Sequence, residues 1–285
     1  MITCNLVGGL GNQLFQIFST ISYAIKIKDK FVFLNSETLG TGSTKVRNTY
    51  WNNLLYKLNS FLIYDFSNFT IIREIDFTFN DITLEINKNK TINNNICLLG
   101  YYQSYKYFQD NFELIYRLLG IKKQKETLLE LYSSSNLENT VSMHFRLGDY
   151  KLFPTIYTIM TYEYYKESLL YIENNNQNQN SSNLEILFFC EDADLEDVNI
   201  IIERLKIEFP KNNFIRASNS LKDWEQMLLM SCCKHNIIAN SSFSWWGAYF
   251  NLTLDKIVCY PEVWFVNNTD TKDLCPLEWV KIKNQ

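Results

Sequence analysis

Short apolar runs alternate with longer amphipathic segments along most of the chain, and no other feature restricts the fold so strongly. The apolar runs have the length of buried strands and lie at residues 2–7, 31–34, 140–145, 184–190, 236–239 and 257–260. Segments with a helical spacing of apolar residues lie between them, at residues 13–27, 108–119, 161–173, 194–208 and 223–232. Strands that alternate with helices form parallel sheets, so the sequence predicts an α/β fold.

The length of the chain indicates two domains rather than one. A chain of 285 residues exceeds the usual size of a single hydrophobic core. A polar stretch at residues 133–139 is a natural connector and divides the chain into residues 1–135 and 136–285. Segments predicted to be loops, or left without a clear pattern, lie at residues 35–53, 61–97 and 174–183.

Charge and cysteine content argue against several classes of function. The net charge is −4 and no Lys/Arg cluster is present, so nucleic acid or an anionic membrane is a poor partner. Seven cysteines without a Cys-x-x-Cys pair, and only two histidines, make a zinc site improbable. The sequence has no signal-peptide pattern, and no apolar run approaches the ~20 residues of a membrane span. We therefore expect a cytoplasmic protein without a membrane anchor.

A glycine-rich turn follows the first strand. Residues 8–13 read GGLGNQ, and such a turn before a helix lets backbone N–H groups approach an anion or a sugar. It is not a dinucleotide fingerprint, because Leu14 stands where the third glycine belongs, and no Lys-Ser/Thr follows as in a P-loop. Tight-turn geometry alone would explain the glycines, but the polar helix start favours ligand contact. The predicted contact residues are Gly9, Gly11, Asn12 and Gln13.

A second polar motif, HFRLGDY at residues 144–150, stands at the carboxyl end of a strand, where α/β sheets bind ligands. Alternation puts His144 and Arg146 on one face of that strand. An arginine there can hold a diphosphate through two hydrogen bonds at once. The alternative is structural: Arg146 and Asp149 form an ion pair across a turn, and His144 is a buried histidine satisfied by the backbone.

Small hydroxyl residues mark the end of a third strand, in the segment NSSFSWWG at residues 240–247. A helix cap requires only one serine, so the additional serines favour phosphate contact at a helix N-terminus. Trp245 and Trp246 are expected to pack in the core. The residues predicted to contact this phosphate-bearing ligand are Asn240, Ser241, Ser242 and Phe243.

Three acidic residues follow the strand at residues 184–190. Asp192 and Asp194 match a D-x-D pattern that binds Mn²⁺ in one large class of enzymes, and Asp194 also suits a helix N-cap. Alternatively, Glu191 and Asp192 accept hydrogen bonds from the N1–H and amino group of guanine. The sequence leaves these readings open.

Five segments together resemble the α-1,2-fucosyltransferases of glycosyltransferase family 11. They are residues 8–16 (GGLGNQLFQ), 100–108 (GYYQSYKYF), 144–150 (HFRLGDY), 234–248 (KHNIIANSSFSWWGA) and the tail at 256–279. They occur in the family's order along the whole chain, and the fourth is the most specific. The resemblance implies a GT-B-like fold, with two Rossmann-type halves and the active site in the cleft between them.

The resemblance also implies a reaction: inverting transfer of L-fucose from GDP-β-L-fucose to a sugar hydroxyl, the 2-OH of a galactoside. No metal or other cofactor is expected. The first half would take the galactose-containing acceptor and the second half the GDP-fucose. Arg146 takes the position of the family's diphosphate-binding arginine, and Asn12 that of the asparagine near the reacting centre. The donor-phosphate turn corresponds to Asn240, Ser241 and Ser242.

One departure from the family lies after the strand at residues 184–190, where Cys190, Glu191 and Asp192 replace the usual Ser-Asp-Asp. Both carboxylates that guanine recognition needs are retained. The rival enzyme hypothesis is a Mn²⁺-dependent GT-A transferase that uses the D-x-D pattern. The rival from another class is a catalytically dead transferase fold that binds glycans. A general base is left unassigned, with Asp149 and His144 as the nearest candidates in sequence.

Overall fold

The computed structural model describes residues 1–40, 46–65, 68–84, 95–131, 137–176 and 183–283. The chain divides into two compact units. Unit 1 comprises Met1–Gln124 and Asp270–Pro276, and unit 2 comprises Lys125–Thr269 and Leu277–Gln285. Within the described part of the chain, no helix combines the length and apolar character needed to cross a membrane.

Unit 1 is built on short parallel strands. In chain order the described strands are β1 (Ile2–Cys4), β2 (Phe33–Leu34), β3 (Thr38–Leu39), β4 (Arg47–Asn48), β5 (Leu62–Ile63), β6 (Thr70–Arg73) and β7 (Ile96–Leu99). A parallel sheet has the order β1-β7-β6, and β2 pairs in parallel with β5. The antiparallel pair β3–β4 lies within the stretch predicted to be a loop.

Helix α1 (Leu10–Lys26) begins three residues earlier than the sequence pattern predicts. Gly9 is its N-cap in an extended conformation, so the polar part of the glycine-rich motif forms the first helical turn. Almost every α1 side chain from Leu10 to Ala24 is buried, Asn12 being the exception. The helix is therefore enclosed by the unit rather than half-exposed. Because it lacks a continuous polar face, an amphipathic pattern does not locate its N-terminus well. Two further helices follow, α2 (Phe112–Leu118) and α3 (Ile121–Leu131).

Unit 2 contains one six-stranded parallel sheet. Its strands are β8 (Thr140–His144), β9 (Glu185–Phe189), β10 (Asn213–Arg216), β11 (His235–Ile237), β12 (Val258–Pro261) and β13 (Val280–Ile282). The strands lie in the order β10-β9-β8-β11-β12-β13. Numbered along the unit, that order is 3-2-1-4-5-6, the arrangement of Rossmann sheets. The direction of winding reverses between β8 and β11, and this is the switch point of the sheet.

Helix α3 continues from unit 1 into unit 2, and the other α-helices described in unit 2 are α4 (Tyr162–Asn175), α5 (Leu195–Glu208), α6 (Asp223–Met230) and α7 (Ser242–Tyr249). Trp245 and Trp246 of α7 are fully buried, with ring centroids 5.1 Å apart, which confirms that they pack in the core. Burying two indoles contributes several kcal/mol to stability and fixes the helix against the sheet. The N-terminus of α7 is thereby held firmly at the switch point.

The edge strands β10 and β13 are absent from the pattern predicted by the sequence, and the expectation that residues 257–260 form the last strand is wrong. Each edge strand has only three or four residues and buries few of them. A short, half-exposed strand leaves no apolar run to recognise. The predicted connector at residues 133–139 and the Asn-rich stretch at 174–183 lie largely outside the described residues.

The division into units differs from the predicted boundary at residues 135 and 136. Lys125 belongs to unit 2, where its Nζ donates to the carbonyl oxygens of Ser231 and Phe250 at 3.0 and 3.1 Å. Near the C-terminus, Asp273 returns to unit 1, where its carboxylate accepts from Lys106 Nζ at 2.5 Å and from Phe79 N at 3.0 Å. Contacts this distant in sequence leave no local signal.

Candidate functional site

Two loops meet at the switch point of unit 2. One follows β8 and carries Arg146 and Asp149, and the other follows β11 and opens α7. The hydroxyl of Tyr150 in the first loop donates to the carbonyl oxygen of Asn240 in the second at 2.9 Å. Ligands of open α/β sheets bind where strand order reverses, at the carboxyl ends of the strands. The predicted polar motifs therefore lie at the place that this topology favours for a ligand.

Arg146 binds two carboxylates. Its Nη1 donates to Glu191 Oε1 and its Nη2 to Asp149 Oδ1, each at 2.5 Å. Its Nε is buried and has no hydrogen-bond partner among the described residues. The guanidinium also lies 5.1 Å from the centre of the Tyr150 ring. The ion pair with Asp149 expected from the sequence is present, and Glu191 is a second partner that the sequence pattern did not predict.

His144 ends β8 and is 7% exposed. Burial, reinforced by the positive charge of Arg146, lowers its pKa from 6.5 to about 3. Its ring lies 5.6 Å from that of Phe243, and no described group forms a hydrogen bond with its Nδ1. The expectation that backbone groups satisfy a buried His144 is therefore not met at Nδ1. The imidazole is neutral at physiological pH and a weak proton acceptor.

The turn before α7 has two residues that shape it. Ser241 is the N-cap, and its Oγ accepts from Phe243 N at 3.3 Å. Asn240 is 1% exposed, and its Nδ2 donates to the carbonyl oxygens of Thr158 and Trp264, both at 3.0 Å. Its Oδ1 has no hydrogen-bond partner in the described part of unit 2. Asn240 and Ser241 thus brace the turn, whereas Ser242 and Phe243 keep part of their surface exposed.

The two carboxylates of the D-x-D pattern bind different cations. Asp192 pairs with Arg216, a residue that the sequence pattern did not single out. Asp194 is buried and accepts from Gly148 N at 2.7 Å and Lys151 Nζ at 2.9 Å. It occupies the N-cap position of α5 but makes no capping hydrogen bond to the described helix, so the predicted capping role is wrong. Its carboxylate instead holds the loop that carries Asp149.

No described residues form a group of three or more His, Cys, Asp or Glu side chains able to hold a metal ion. The D-x-D pattern therefore does not lie within a carboxylate cluster of the kind that cations such as Mn²⁺ use.

The glycine-rich turn of unit 1 is tightly built. Gly8 has φ +83°, and a Cβ there would stand 2.5 Å from Asn12 Nδ2, so only glycine fits. A Cβ on Gly9 would meet no described atom within 4 Å, which leaves open space beside the backbone. Gln13 is fully buried, and its Nε2 donates to the carbonyl oxygens of Gly8 and Asn48 at 3.0 and 2.9 Å. Gly11 is also buried. Of the four predicted contact residues, Gly9 and Asn12 therefore keep exposed surface.

Asn12 has a partner that motif reasoning missed. Gln103 is 8% exposed, and its Nε2 donates to Asn12 Oδ1 at 2.8 Å. Gln103 lies in the segment GYYQSYKYF, so the family resemblance marked its neighbourhood without identifying the residue. The hydrogen bond fixes the orientation of the Asn12 amide.

The loop that presents Gln103 is held by a carboxylate. Glu74 accepts from the backbone N–H groups of Tyr101 and Tyr102 at 2.6 and 2.9 Å, and burial raises its pKa. A Cβ on Gly100 would lie 2.3 Å from Glu74 Cβ, so this close approach needs glycine. The backbone turn that leads to Gln103 is thus anchored to Glu74, the residue after β6.

The whole sequence matches one family. Residues 1–283 fit the model of glycosyl transferase family 11. The chain belongs to this family. The predicted family is confirmed, and the protein is therefore a glycosyltransferase by descent.

Known relatives agree over nearly their full length. The O-antigen biosynthesis glycosyltransferase WbnK of Escherichia coli is 29% identical, with 99% of this chain and 100% of the relative covered. An alpha-1,2-colitosyltransferase of Escherichia coli is 26% identical, with 99% of each chain covered. Among solved structures, a glycosyl transferase of family 9 from Veillonella parvula has a TM-score of 0.50 at 10% identity, covering 100% of this chain and 86% of that one. The fold is of the GT-B type, as predicted.

Proposed function

We propose that this family 11 protein transfers L-fucose from GDP-β-L-fucose to the 2-OH of a galactoside and inverts the anomeric carbon to give an α linkage. The observation that carries the proposal is that the loop of Arg146 is joined to the N-terminal turn of α7, through Tyr150 and Asn240, at the switch point of a Rossmann-ordered sheet. An arginine and a helix N-terminus are the two protein features that bind phosphate oxygens best. The α-1,2 linkage follows the name of one relative.

The chemistry to be supported is departure of GDP. As the bond between fucose C1 and the phosphate oxygen breaks, its electron pair goes to the β-phosphate and positive charge builds on the sugar ring. Arg146 and the N-terminus of α7 stabilise the developing negative charge. Preorganised donors of this kind are worth about 3–4 kcal/mol each in the transition state. The acceptor oxygen attacks C1 from the opposite face, and its proton leaves as the new bond forms.

These groups do the work that Mn²⁺ does in the alternative hypothesis, so we propose that no metal is required. Asp192 and Asp194, which that hypothesis needs together, are bound by Arg216 and by Lys151 with Gly148 N respectively. We do not assign His144 as the general base, because a group with a pKa of about 3 is poorly matched to proton removal at neutral pH.

We assign the acceptor, a galactose-containing glycan, to unit 1. Asn12 offers an amide group, which can donate to and accept from sugar hydroxyls without introducing charge, and the buried Gln103 orients it. Gly9 leaves open space beside its backbone, which allows close approach of a ligand.

A donor and acceptor screen tests the proposal. The protein is incubated with lactose and GDP-fucose in the presence of EDTA, and products are followed by mass spectrometry and their linkage by NMR. GDP-mannose and UDP-galactose are control donors, and the Arg146→Ala variant is the control for catalysis. We expect a fucosylated lactose with an α-1,2 linkage and no product from the control donors.

Colitose is a separate arm of the same screen, because one relative is named for it. Colitose lacks only the 3-hydroxyl of L-fucose, so GDP-colitose tests recognition of that group. Transfer from GDP-colitose alone would redefine the donor within the same mechanism. Transfer only from UDP-linked sugars, or a rate that vanishes in EDTA and returns with Mn²⁺, would contradict the proposal.

A further inference from the structure

We propose that Glu191 exchanges partners when the donor binds: the diphosphate displaces it from Arg146, and its carboxylate then accepts from the ribose hydroxyls of GDP. The inference rests on the proposed function and adds a ribose-recognising residue to it. It also revises the sequence-based expectation that Glu191 contacts guanine, a role that stays with Asp192.

The charge around Arg146 favours an exchange. Both Nη atoms donate to carboxylates at 2.5 Å, and among the described residues only the buried Nε is left without a partner. Bidentate binding of a phosphate uses two neighbouring N–H groups of the guanidinium fork. Each Nη atom has two N–H groups, so the fork keeps donors for a phosphate, but with both carboxylates in place that phosphate would lie beside two negative charges. One guanidinium between two carboxylates also has a net charge of −1, which opposes an incoming anion.

The two carboxylates are not equally free to leave. Asp149 is three residues from Arg146, in a loop that Asp194 holds through Gly148 N and Lys151. Its side chain is 30% exposed, against 54% for Glu191. Glu191 comes from a different segment and has a longer side chain. The exposed, independently anchored Glu191 is therefore the residue that moves.

Topology indicates where Glu191 goes. It lies two residues beyond the end of β9, which is the second strand in the 3-2-1-4-5-6 order. In dinucleotide-binding sheets of this order, an acidic residue after that strand accepts a hydrogen bond from the ribose 2′-OH. Gly148 keeps the space beside Glu191 clear, since a Cβ there would stand 3.3 Å from both carboxylate oxygens. Exchange of the guanidinium for hydroxyl donors leaves the carboxylate satisfied.

Calorimetric titration with three probes tests the exchange: GDP, 2′-deoxy-GDP and inorganic pyrophosphate. Each is titrated into the wild type, into Glu191→Ala and into Glu196→Ala, which removes a neighbouring exposed carboxylate on α5. We expect the wild type to bind GDP about tenfold more tightly than 2′-deoxy-GDP, the scale of a hydrogen bond to a charged group. The Glu191→Ala variant should bind GDP and 2′-deoxy-GDP with about the same affinity.

For pyrophosphate, we expect the Glu191→Ala substitution to increase the affinity rather than reduce it. It has no ribose, so Glu191 acts on it only as a competitor for Arg146. Glu191→Ala should therefore bind pyrophosphate about two- to fivefold more tightly, the value of one exposed ion pair. Glu196→Ala should match the wild type with all three probes. Thermal melts accompany each titration, although the exposure of Glu191 makes a folding defect unexpected.

The outcomes separate the two proposals. If the wild type does not bind GDP, the proposed function fails. If the wild type binds GDP and 2′-deoxy-GDP equally, the ribose role is wrong while the donor assignment stands. If Glu191→Ala weakens pyrophosphate and GDP by the same factor, Glu191 only orients Arg146, and the exchange is wrong.

Discussion

The carboxyl ends of the two parallel sheets differ in the kind of polar group they offer. In unit 2 the loops present charge: Arg146 between Asp149 and Glu191, with the pair of Asp192 and Arg216 nearby in sequence. In unit 1 the predicted contact residue Asn12 pairs with the amide of Gln103, and the carboxylate of Glu74 is bound to two backbone N–H groups. The loops at the switch point of unit 2 are therefore built around ion pairs, whereas the predicted contact residues of unit 1 are uncharged.

Under the proposed function, this difference would correspond to the two chemical tasks of a glycosyltransferase. A departing nucleoside diphosphate gains negative charge, and a guanidinium stabilises that charge best where the geometry is fixed in advance. A sugar acceptor has only hydroxyls, which need donors and acceptors in fixed directions rather than charge. The Gln103–Asn12 contact suits the second task. Arg146 suits the first, because Asp149 still holds the guanidinium when the more exposed Glu191 is displaced in the proposed exchange.

The largest expected effect comes from Arg146→Lys. The substitution keeps one positive charge but removes the planar fork. We expect kcat to fall by about 10²-fold or more, the scale for one preorganised donor. GDP affinity should fall less, since the other groups at the switch point still bind the ground state. Steady-state kinetics with GDP-fucose, together with GDP titration, measure both quantities.

Asp149→Asn is the matched control for Arg146→Lys. If the two residues only hold a turn together, both variants lose thermal stability to a similar degree and keep near-normal kcat when folded. A folded Arg146→Lys protein with wild-type turnover would remove the guanidinium from the mechanism.

The second prediction separates structural from exchangeable carboxylates within unit 2. Asp194→Asn removes the charge of a buried carboxylate that binds Gly148 N and Lys151. The free energy of unfolding of this variant should therefore be about 1–3 kcal/mol lower than that of the wild type. Asp192→Asn removes one partner of an exposed ion pair and should change the free energy of unfolding by less than about 1 kcal/mol. Denaturant unfolding at pH 7 checks both. Loss of activity in both variants, reversed by added Mn²⁺, would instead support the metal-dependent alternative.

The third prediction uses acid. Both histidines, His144 and His235, lie in unit 2, and burial lowers their pKa values to about 3 and about 4 from 6.5. As the pH falls, the histidines of the unfolded chain take up protons before those of the folded chain. The stability that the two neutral histidines contribute is therefore present above pH 6.5 and is lost as the pH falls. Between pH 7 and pH 5 each histidine should lower the free energy of unfolding by about 2 kcal/mol.

Denaturant unfolding at the two pH values, on the wild type and on His144→Gln, measures this sensitivity. The variant should have a smaller loss between pH 7 and pH 5 than the wild type, whatever its stability at pH 7. An equal loss in both proteins would show that His144 titrates normally in the folded state.

The smallest expected effect concerns unit 1. Gln103→Leu keeps the size of the side chain but removes the donor that orients Asn12. We expect kcat to fall by about tenfold, the equivalent of one neutral hydrogen bond of about 1.4 kcal/mol, with GDP affinity unchanged. Gln103→Glu is the matched control, because it replaces the donating amide by a second acceptor and should reduce kcat at least as much. Normal kcat in Gln103→Leu would mean that Asn12 needs no support.

The strands and the helix that position the unit 2 loops were predictable because strong local signals define them. The strand at residues 140–144 is an uninterrupted buried run, and the arginine follows it directly. A serine cap and two tryptophans indicate the helix that begins at Ser242. These signals lie within a few residues of one another. Strand order then places them together, as the rules for parallel sheets predict.

The supporting contacts were not predictable from local patterns. Glu191 meets Arg146 across 45 residues of sequence, and Gln103 meets Asn12 across 91. Asp194 looked like a helix cap because caps and loop anchors use the same residue type, and only the fold decides which backbone N–H is near. The edge strands β10 and β13 were missed because they bury too little surface to leave a pattern.

The most direct test of the contrast between the two sheet ends is a titration of GDP into Arg146→Ala and Asn12→Ala in EDTA, paired with transfer rates. The account predicts that Arg146→Ala loses at least about tenfold in GDP affinity, because a charged hydrogen-bond donor is removed. Asn12→Ala should bind GDP as the wild type does and yet transfer fucose much more slowly. Equal loss of GDP affinity in both variants, or normal affinity in Arg146→Ala, would contradict the division of labour between the ionic site of unit 2 and the amide pair of unit 1.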